Sequence, residues 1–173
     1  MNNYAQDSGT TLRIERRLPG PIERVWAYIV DPEKRALWWV GGDWDLRVGG
    51  KTHCTWDHTR LSHEPTPEAW KSFDGMTTEG TISRYDPPRL LAYKGDMGMG
   101  EFEVIFELKP DGDDVIFSIT QAPVDGAQAK AGFASGWHAY IDILEDRVRN
   151  VKPRAFWTNF SRLEKEYEAR FKD

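Results

Sequence analysis

The segment EFEVIFELKPDGDDVIFSITQ, residues 101–121, decides the fold. Apolar side chains alternate with other residues in both of its halves, and this period of two predicts strands with one buried face. The alternating residues are Phe102, Val104, Phe106 and Leu108, followed by Val115, Phe117 and Ile119. The PDGD of residues 110–113, between the halves, is rich in turn-forming residues. The segment therefore predicts an antiparallel β-hairpin with one apolar face.

Directly after this hairpin the pattern changes from strand to helix. Apolar residues step by four, four, three and four positions, a spacing that places them on one side of an α-helix. They are Phe133, Trp137, Ile141, Leu144 and Val148. We predict a helix from about Gly126 to Arg149, roughly 36 Å long at 1.5 Å per residue. After Pro153 a second helix is predicted, with Phe156, Phe160, Leu163, Tyr167 and Phe171 on one face.

The chain before the hairpin predicts further strands and two short helices. Residues 12–18 alternate as in a strand, and residues 22–29 follow at helical spacing after Pro21. A short helix over residues 32–39 then leads to a hairpin, DWDLRV and KTHCTW, that turns at Gly49-Gly50. Residues 76–95 predict two strands around an Asp-Pro-Pro turn, and residues 60–75 have no period. The class is therefore α+β, with six to seven antiparallel strands and a long C-terminal helix.

Several motifs in this order resemble the START-like (SRPBCC) superfamily. They are RIERRLPGPIERVWAYIVDPEKRALWW, DLRVGGK, YDPPRLLAY and GWHAYIDILEDRV. Within the superfamily they are most similar to the branch named after homologues of the activator of the heat-shock-protein ATPase. The resemblance extends from about Leu12 to Val148. It implies a helix-grip fold, in which a curved antiparallel sheet wraps the long helix.

The resemblance also implies an internal cavity between the sheet and the long helix, where family members bind or transform apolar small molecules. It carries over no universal catalytic residue. The long loop of residues 57–74 and the helix after Pro153 depart from the family pattern. We expect a tail that is disordered or extended over residues 1–10 and a helix-grip domain over residues 11–150. The helical extension of residues 151–173 is expected to pack on the same domain.

Composition excludes several classes of function. The net charge is −5 and the isoelectric point is about 5.4, which disfavours a nucleic-acid partner. Cys54 is the single cysteine, so an intramolecular disulfide and a thiolate metal cluster are excluded. The polar start MNNYAQDSGT does not resemble a signal peptide, and no apolar run has membrane-spanning length. We therefore expect a cytoplasmic protein without a membrane or nucleic-acid partner; a homodimer stays open.

Candidate ligand-binding residues follow from the expected cavity. The apolar ones are Trp38, Trp39, Trp56, Phe133, Trp137 and Ile141, and the polar ones are Glu79 and Tyr93. The alternative is that the aromatic residues only fill the core, since stripes at helical spacing usually mean burial. Gly132 and Gly136 would either leave room beside the long helix or let the sheet approach it closely, and we favour the first alternative, a volume for a ligand. GGDWDLRVGG, residues 41–50, lacks the spacing of a phosphate-binding loop.

The polar residues show no catalytic or metal-binding constellation. His53, His58 and His63 recur every five residues, which matches neither strand nor helix period, so no metal site or cofactor is predicted. His138 is expected to face solvent, opposite the apolar stripe of its helix. Asp57, Glu79, Glu103 and Tyr93 are the acid and base candidates on the strands, and none forms a recognisable pair.

Three functional hypotheses stay open at this point. The first is a binder of an apolar or aromatic small molecule, lipid-like or polyketide-like, in the internal cavity. The second is a cavity enzyme of cyclase or hydrolase type, which a carboxylate or histidine oriented inside the cavity would favour. The third is a protein-interaction module of co-chaperone type, which an exposed apolar face on the last helix would favour.

Overall fold

A computed structural model describes residues 2–172. Within them, seven strands form one antiparallel sheet in the order β1-β2-β7-β6-β5-β4-β3. The strands are β1 (Gln6–Ser8), β2 (Thr11–Pro19), β3 (Lys51–Thr55), β4 (Thr77–Asp86), β5 (Leu90–Asp96), β6 (Glu101–Asp111) and β7 (Asp114–Ala122). The helices are α1 (Ile22–Val30), α2 (Pro32–Arg35), α3 (Ala127–Val148) and α4 (Phe156–Arg170). This arrangement confirms the predicted α+β helix-grip class.

The predicted hairpin of residues 101–121 forms the centre of the sheet as β6 and β7. Phe106 lies opposite Ile119, and Leu108 lies opposite Phe117, so the two apolar rows share one face. These four side chains are at most 3% exposed. Strand β2 pairs with the outer side of β7 and extends the same apolar face.

Helix α3 begins and ends within one residue of the prediction and lies against this apolar face. A buried ion pair joins it to the sheet, because the Arg16 guanidinium on β2 lies 2.6 Å from the Asp142 carboxylate and 2.9 Å from that of Glu145. Ile141 and Leu144 on the same helix are fully buried in the core. The helix is therefore fixed to the sheet by apolar packing and by charge together.

Helix α4 packs against α3. The Asn159 side-chain amide donates a hydrogen bond of 2.8 Å to the second carboxylate oxygen of Asp142. Its apolar residues Phe156, Trp157, Phe160, Leu163 and Tyr167 are buried. The Tyr167 hydroxyl also accepts a hydrogen bond of 2.6 Å from the backbone N–H of Ala5. The apolar face that a protein partner would have used is thus covered by the chain itself.

The structure corrects two expectations from the sequence. The first arm of the predicted hairpin at Gly49-Gly50 is not a strand, and only isolated bridges, Gly41 with Thr55 and Trp44 with Thr52, join it to β3. The buried Arg35 donates to the carbonyls of Ile29, Val40 and Gly42 and so fixes the segment that precedes this arm. The tail predicted to be disordered or extended over residues 1–10 contains β1, an extended strand that pairs with β2.

The second correction concerns His138, which is only 6% exposed and not solvated. Its Nδ1 lies 3.0 Å from the Tyr167 hydroxyl, because α4 covers the side of α3 that the sequence pattern assigned to water. The connection of residues 60–75, which had no period, contains a 3-10 helix over Glu68–Phe73, and another lies just before it at His58–Arg60. None of the helices in residues 2–172 has both the length and the apolar character needed to span a membrane.

Acid should destabilise the fold through His138. Burial, reinforced by Arg16 and Arg162, lowers the pKa of His138 to about 4. The unfolded chain, with an ordinary histidine pKa of about 6.5, binds the proton first, so stability is lost as the pH falls below that value. From pH 7 to pH 5 this residue should cost about 2 kcal/mol of unfolding free energy, measured by urea denaturation.

His138→Gln should flatten this pH dependence, because it keeps a neutral polar partner for Tyr167. The matched control is His63→Gln, since His63 is exposed. Equal pH dependence in wild type and His138→Gln would show that His138 does not titrate in this way.

Candidate functional site

A pocket of about 330 Å³ lies between the sheet, α3, α4 and the loop that follows β3. Aromatic side chains dominate its wall, and sulfur and a few polar groups complete it. Its lining includes Trp39, Trp56, His58, Trp70, Phe73, Tyr93, Met97, Met99, Phe102, Gln121, Phe133, Trp137, Tyr140, Phe156, Trp157, Phe160 and Glu164. Concave, mainly apolar sites with a few polar groups are typical of small-molecule binding.

Five of the eight residues predicted from the sequence line this pocket. They are Trp39, Trp56, Tyr93, Phe133 and Trp137. Trp39 is central among them, with its ring 5.0 Å from Trp137 and 5.9 Å from Tyr93. The Trp137 indole is fixed because its N–H donates a hydrogen bond of 2.7 Å to Gln121 Oε1. Contact of these residues with a ligand stays a prediction.

The other three predicted residues lie outside the pocket lining. Trp38 is fully buried against Phe106 and Phe117, and its indole N–H donates to the carbonyl of Tyr28 at 2.7 Å. Ile141 is fully buried in the core. The side chain of Glu79 is 75% exposed and lies 3.3 Å from His53, so the expectation that it orients a ligand is corrected.

Two glycines of α3 leave space at the pocket wall. A methyl group added at Gly132 would meet no neighbouring atom within 4 Å, and one added at Gly136 would first meet the Tyr140 ring at 3.9 Å. Both glycines line the pocket. Since glycine weakens a helix interior by roughly 0.5–1 kcal/mol relative to alanine, this volume is kept at a cost in helix stability.

A chain of hydrogen bonds enters the apolar wall from the loop after β3. Asp74 Oδ1 lies 2.8 Å from His58 Nδ1, and His58 Nε2 lies 2.8 Å from the Tyr140 hydroxyl. Asp74 also accepts from the His58 backbone N–H at 2.9 Å and from the Thr66 hydroxyl at 2.6 Å. The histidine is therefore oriented by a carboxylate, with its other nitrogen toward a tyrosine of the pocket.

The charges along this chain follow from burial and hydrogen bonding. Burial alone would raise the pKa of the Asp74 carboxyl, but the hydrogen bonds from Thr66 and His58 outweigh it and lower the pKa. Burial lowers the pKa of His58, and Asp74 offsets this only in part. Burial raises the pKa of Tyr140 above its usual value. At neutral pH the chain is therefore carboxylate, neutral imidazole and phenol.

The three regularly spaced histidines do not meet. The side chain of His53 is 57% exposed, His63 is also exposed, and His58 is buried in the pocket wall. Among residues 2–172 no group of three or more histidine, cysteine or acidic side chains is placed to hold a metal ion. The buried Cys54 lies in the core, and burial raises the pKa of its thiol.

Sequence reasoning missed the Asp74–His58–Tyr140 chain and the part of the wall that α4 supplies. His58 and Asp74 lie 16 positions apart in a segment without a period, and Tyr140 is 82 positions beyond His58. No spacing rule connects such positions. The one available signal was the apolar stripe of α4, whose residues Phe156 and Phe160 line the pocket.

Comparison with known proteins gives a family and a fold. A family model described as Activator of Hsp90 ATPase homolog 1-like protein matches residues 19–149. The solution NMR structure of the protein encoded by gene BPP1335 from Bordetella parapertussis is 34% identical, with a TM-score of 0.83 over 96% of this chain and 88% of that chain. No curated protein matches by sequence.

Two further solved structures share the fold at lower identity. CalU16 from Micromonospora echinospora is 20% identical, with a TM-score of 0.70 over 94% of this chain and 89% of its own. DynU16, a protein of the dynemicin biosynthetic locus, is 18% identical, with a TM-score of 0.66 over 84% of this chain and 49% of its own. Likeness at this level shows the fold alone.

Removing the Trp137 indole tests its position at the boundary of core and pocket. Trp137→Ala should lower the free energy of unfolding by roughly 3–5 kcal/mol, as loss of a buried aromatic side chain commonly does. Trp137→Phe keeps a ring but leaves Gln121 Oε1 without its donor, and should cost about 1–3 kcal/mol. Urea denaturation measures both, and a loss below about 1 kcal/mol for the alanine variant would contradict the assigned packing.

Proposed function

The chain belongs to the family of Activator of Hsp90 ATPase homolog 1-like proteins, and from this premise we propose that it binds an apolar or aromatic small molecule in the pocket between its sheet and α3. The observation that carries the proposal is the aromatic lining around a volume of about 330 Å³. Burial of apolar surface contributes about 25 cal/mol per Å², so such a wall favours an apolar ligand over a charged one.

The pocket has a route to solvent, which supports ligand exchange. Met99 borders the pocket and is 71% exposed, so the loop between β5 and β6 lies at the rim. Met97 of the same loop also lines the pocket. Methionine side chains adapt to ligands of different shape because they are unbranched and flexible.

The neighbour from the dynemicin biosynthetic locus is 18% identical and shares the fold, so the choice of a lipid-like or polyketide-like ligand rests on the aromatic pocket wall. No observation favours the co-chaperone hypothesis for this chain, because the apolar residues of α4 are buried against its own domain.

Filling the pocket from α3 tests the proposal. Gly136→Leu should weaken binding of the neutral probe N-phenyl-1-naphthylamine by about tenfold or more, because the added side chain starts at the pocket wall. Folding should not be lost, since replacing glycine in a helix gains roughly 0.5–1 kcal/mol. Probe fluorescence measures binding, and urea denaturation measures stability.

Two variants control this experiment. Gly136→Ala should gain helix stability while adding little bulk to the pocket. Gln128→Leu adds the same side chain at an exposed position of α3. If wild type does not bind the probe, or if Gly136→Leu and Gln128→Leu bind it equally, the pocket is not the binding site.

A second candidate, an enzyme that transfers a proton, is favoured by the orientation of His58 by Asp74. In this step the Tyr140 oxygen takes a proton from a carbon beside a ligand carbonyl, while the phenol proton passes to His58 Nε2. The electron pair stays on the ligand as an enolate, and the imidazolium formed lies beside the Asp74 carboxylate. Such general acid–base catalysis commonly contributes 10²- to 10⁴-fold.

Deuterium exchange into the apolar ketone 2-tetralone tests this second candidate. The protein in D₂O should accelerate exchange beside the carbonyl, as followed by NMR, and His58→Gln should abolish the acceleration. His53→Gln, at an exposed position, should not change it. If exchange with the protein is no faster than in buffer alone, the proposed proton transfer from this carbon is wrong.

A further inference from the structure

The hydrogen-bond chain of Asp74, His58 and Tyr140 has a fixed direction. Ionised Asp74 can only accept, so His58 Nδ1, 2.8 Å away, must carry a proton. A neutral imidazole then has a lone pair on Nε2, and the Tyr140 hydroxyl, 2.8 Å away, must donate to it. Each proton of the chain therefore points away from the pocket, toward the carboxylate.

This direction determines what Tyr140 can offer to a ligand. The single phenol proton is committed to His58, so the oxygen retains only lone pairs. Aromatic rings surround the residue, with Phe156 5.1 Å away and Trp56 and Trp137 at 6.3 and 6.2 Å. The Trp137 indole N–H donates to Gln121 Oε1.

We infer that Tyr140 is the polar anchor of the pocket and accepts a hydrogen bond from a hydroxyl group of an otherwise apolar ligand. This inference rests on the proposed ligand-binding function and narrows its ligand class to aromatic or polycyclic alcohols and phenols. An ammonium group is a poorer fit, because a charge brought into an apolar wall loses its hydration. His58 and Asp74 act as positioning residues, since their hydrogen bonds orient the phenol of Tyr140.

Two naphthalene derivatives of matched shape test the anchor by isothermal titration calorimetry. 2-Naphthol has a hydroxyl donor, whereas 2-methoxynaphthalene has an oxygen at the same position and no donor. Wild type should bind 2-naphthol about 3- to 10-fold more tightly, the ratio expected for one net hydrogen bond. Tyr140→Phe should lose this preference and bind 2-methoxynaphthalene within about twofold of wild type.

Tyr85→Phe is the matched control, because Tyr85 packs against Trp26 outside the pocket lining and the loss of its phenol should keep the preference. Binding of both compounds by wild type without a preference, or a preference retained in Tyr140→Phe, would overturn the anchor and leave the proposed function intact. If wild type binds neither compound, the proposed function fails together with the anchor.

A measurement on wild type alone covers the case in which Tyr140→Phe does not fold. Imidazole ¹⁵N chemical shifts distinguish the neutral Nδ1–H tautomer from the Nε2–H tautomer and from imidazolium. At pH 7.5, His58 should be the neutral Nδ1–H tautomer. In either of the other two forms His58 Nε2 would donate to Tyr140, whose own proton would then be free for a ligand, and the inference would be overturned.

Discussion

The buried carboxylate of Asp142 holds the sheet and both long helices in one arrangement. Its Oδ1 pairs with Arg16 on β2 at 2.6 Å, and its Oδ2 accepts from Asn159 on α4 at 2.8 Å. A buried charge is costly unless it is paired, so each partner is required by the others. Because Asp142 lies on α3, this one side chain fixes how the sheet and α4 meet that helix.

The pocket follows from this arrangement. Near Asp142 the helix lies directly on the sheet, where Ile141 and Leu144 fill the core. About two to three turns earlier, Gly136 and Gly132 stand in place of bulky side chains, and the wall is completed by α4 and by the loop after β3. Helix α3 therefore packs tightly on the sheet along one part of its length and borders the open pocket along another part, because the size of its side chains changes between the two.

Burying the polar groups of the Asp74–His58–Tyr140 chain in an apolar wall costs folding free energy. An imidazole and a phenol that are buried must satisfy each other, and removing one leaves the other without a partner. An apolar pair of similar shape would pack without this constraint. Such polar groups are therefore common where a binding site needs orientation, and the Asp74–His58–Tyr140 chain gives this pocket a direction that its aromatic rings cannot give.

The sequence alone determined the hairpin of β6 and β7, the extent of α3 and the fold class. These features depend on the spacing at which apolar residues repeat along a short stretch of chain, and the sequence shows that spacing directly. It also indicated Trp39, Tyr93 and Trp137 as residues of the pocket wall. Only the tertiary structure decided that His138 is buried, that Glu79 faces solvent, and that His58 meets Asp74 and Tyr140. These outcomes depend on which distant segment covers a given surface, and no local spacing encodes such contacts between α4, the loop after β3 and α3.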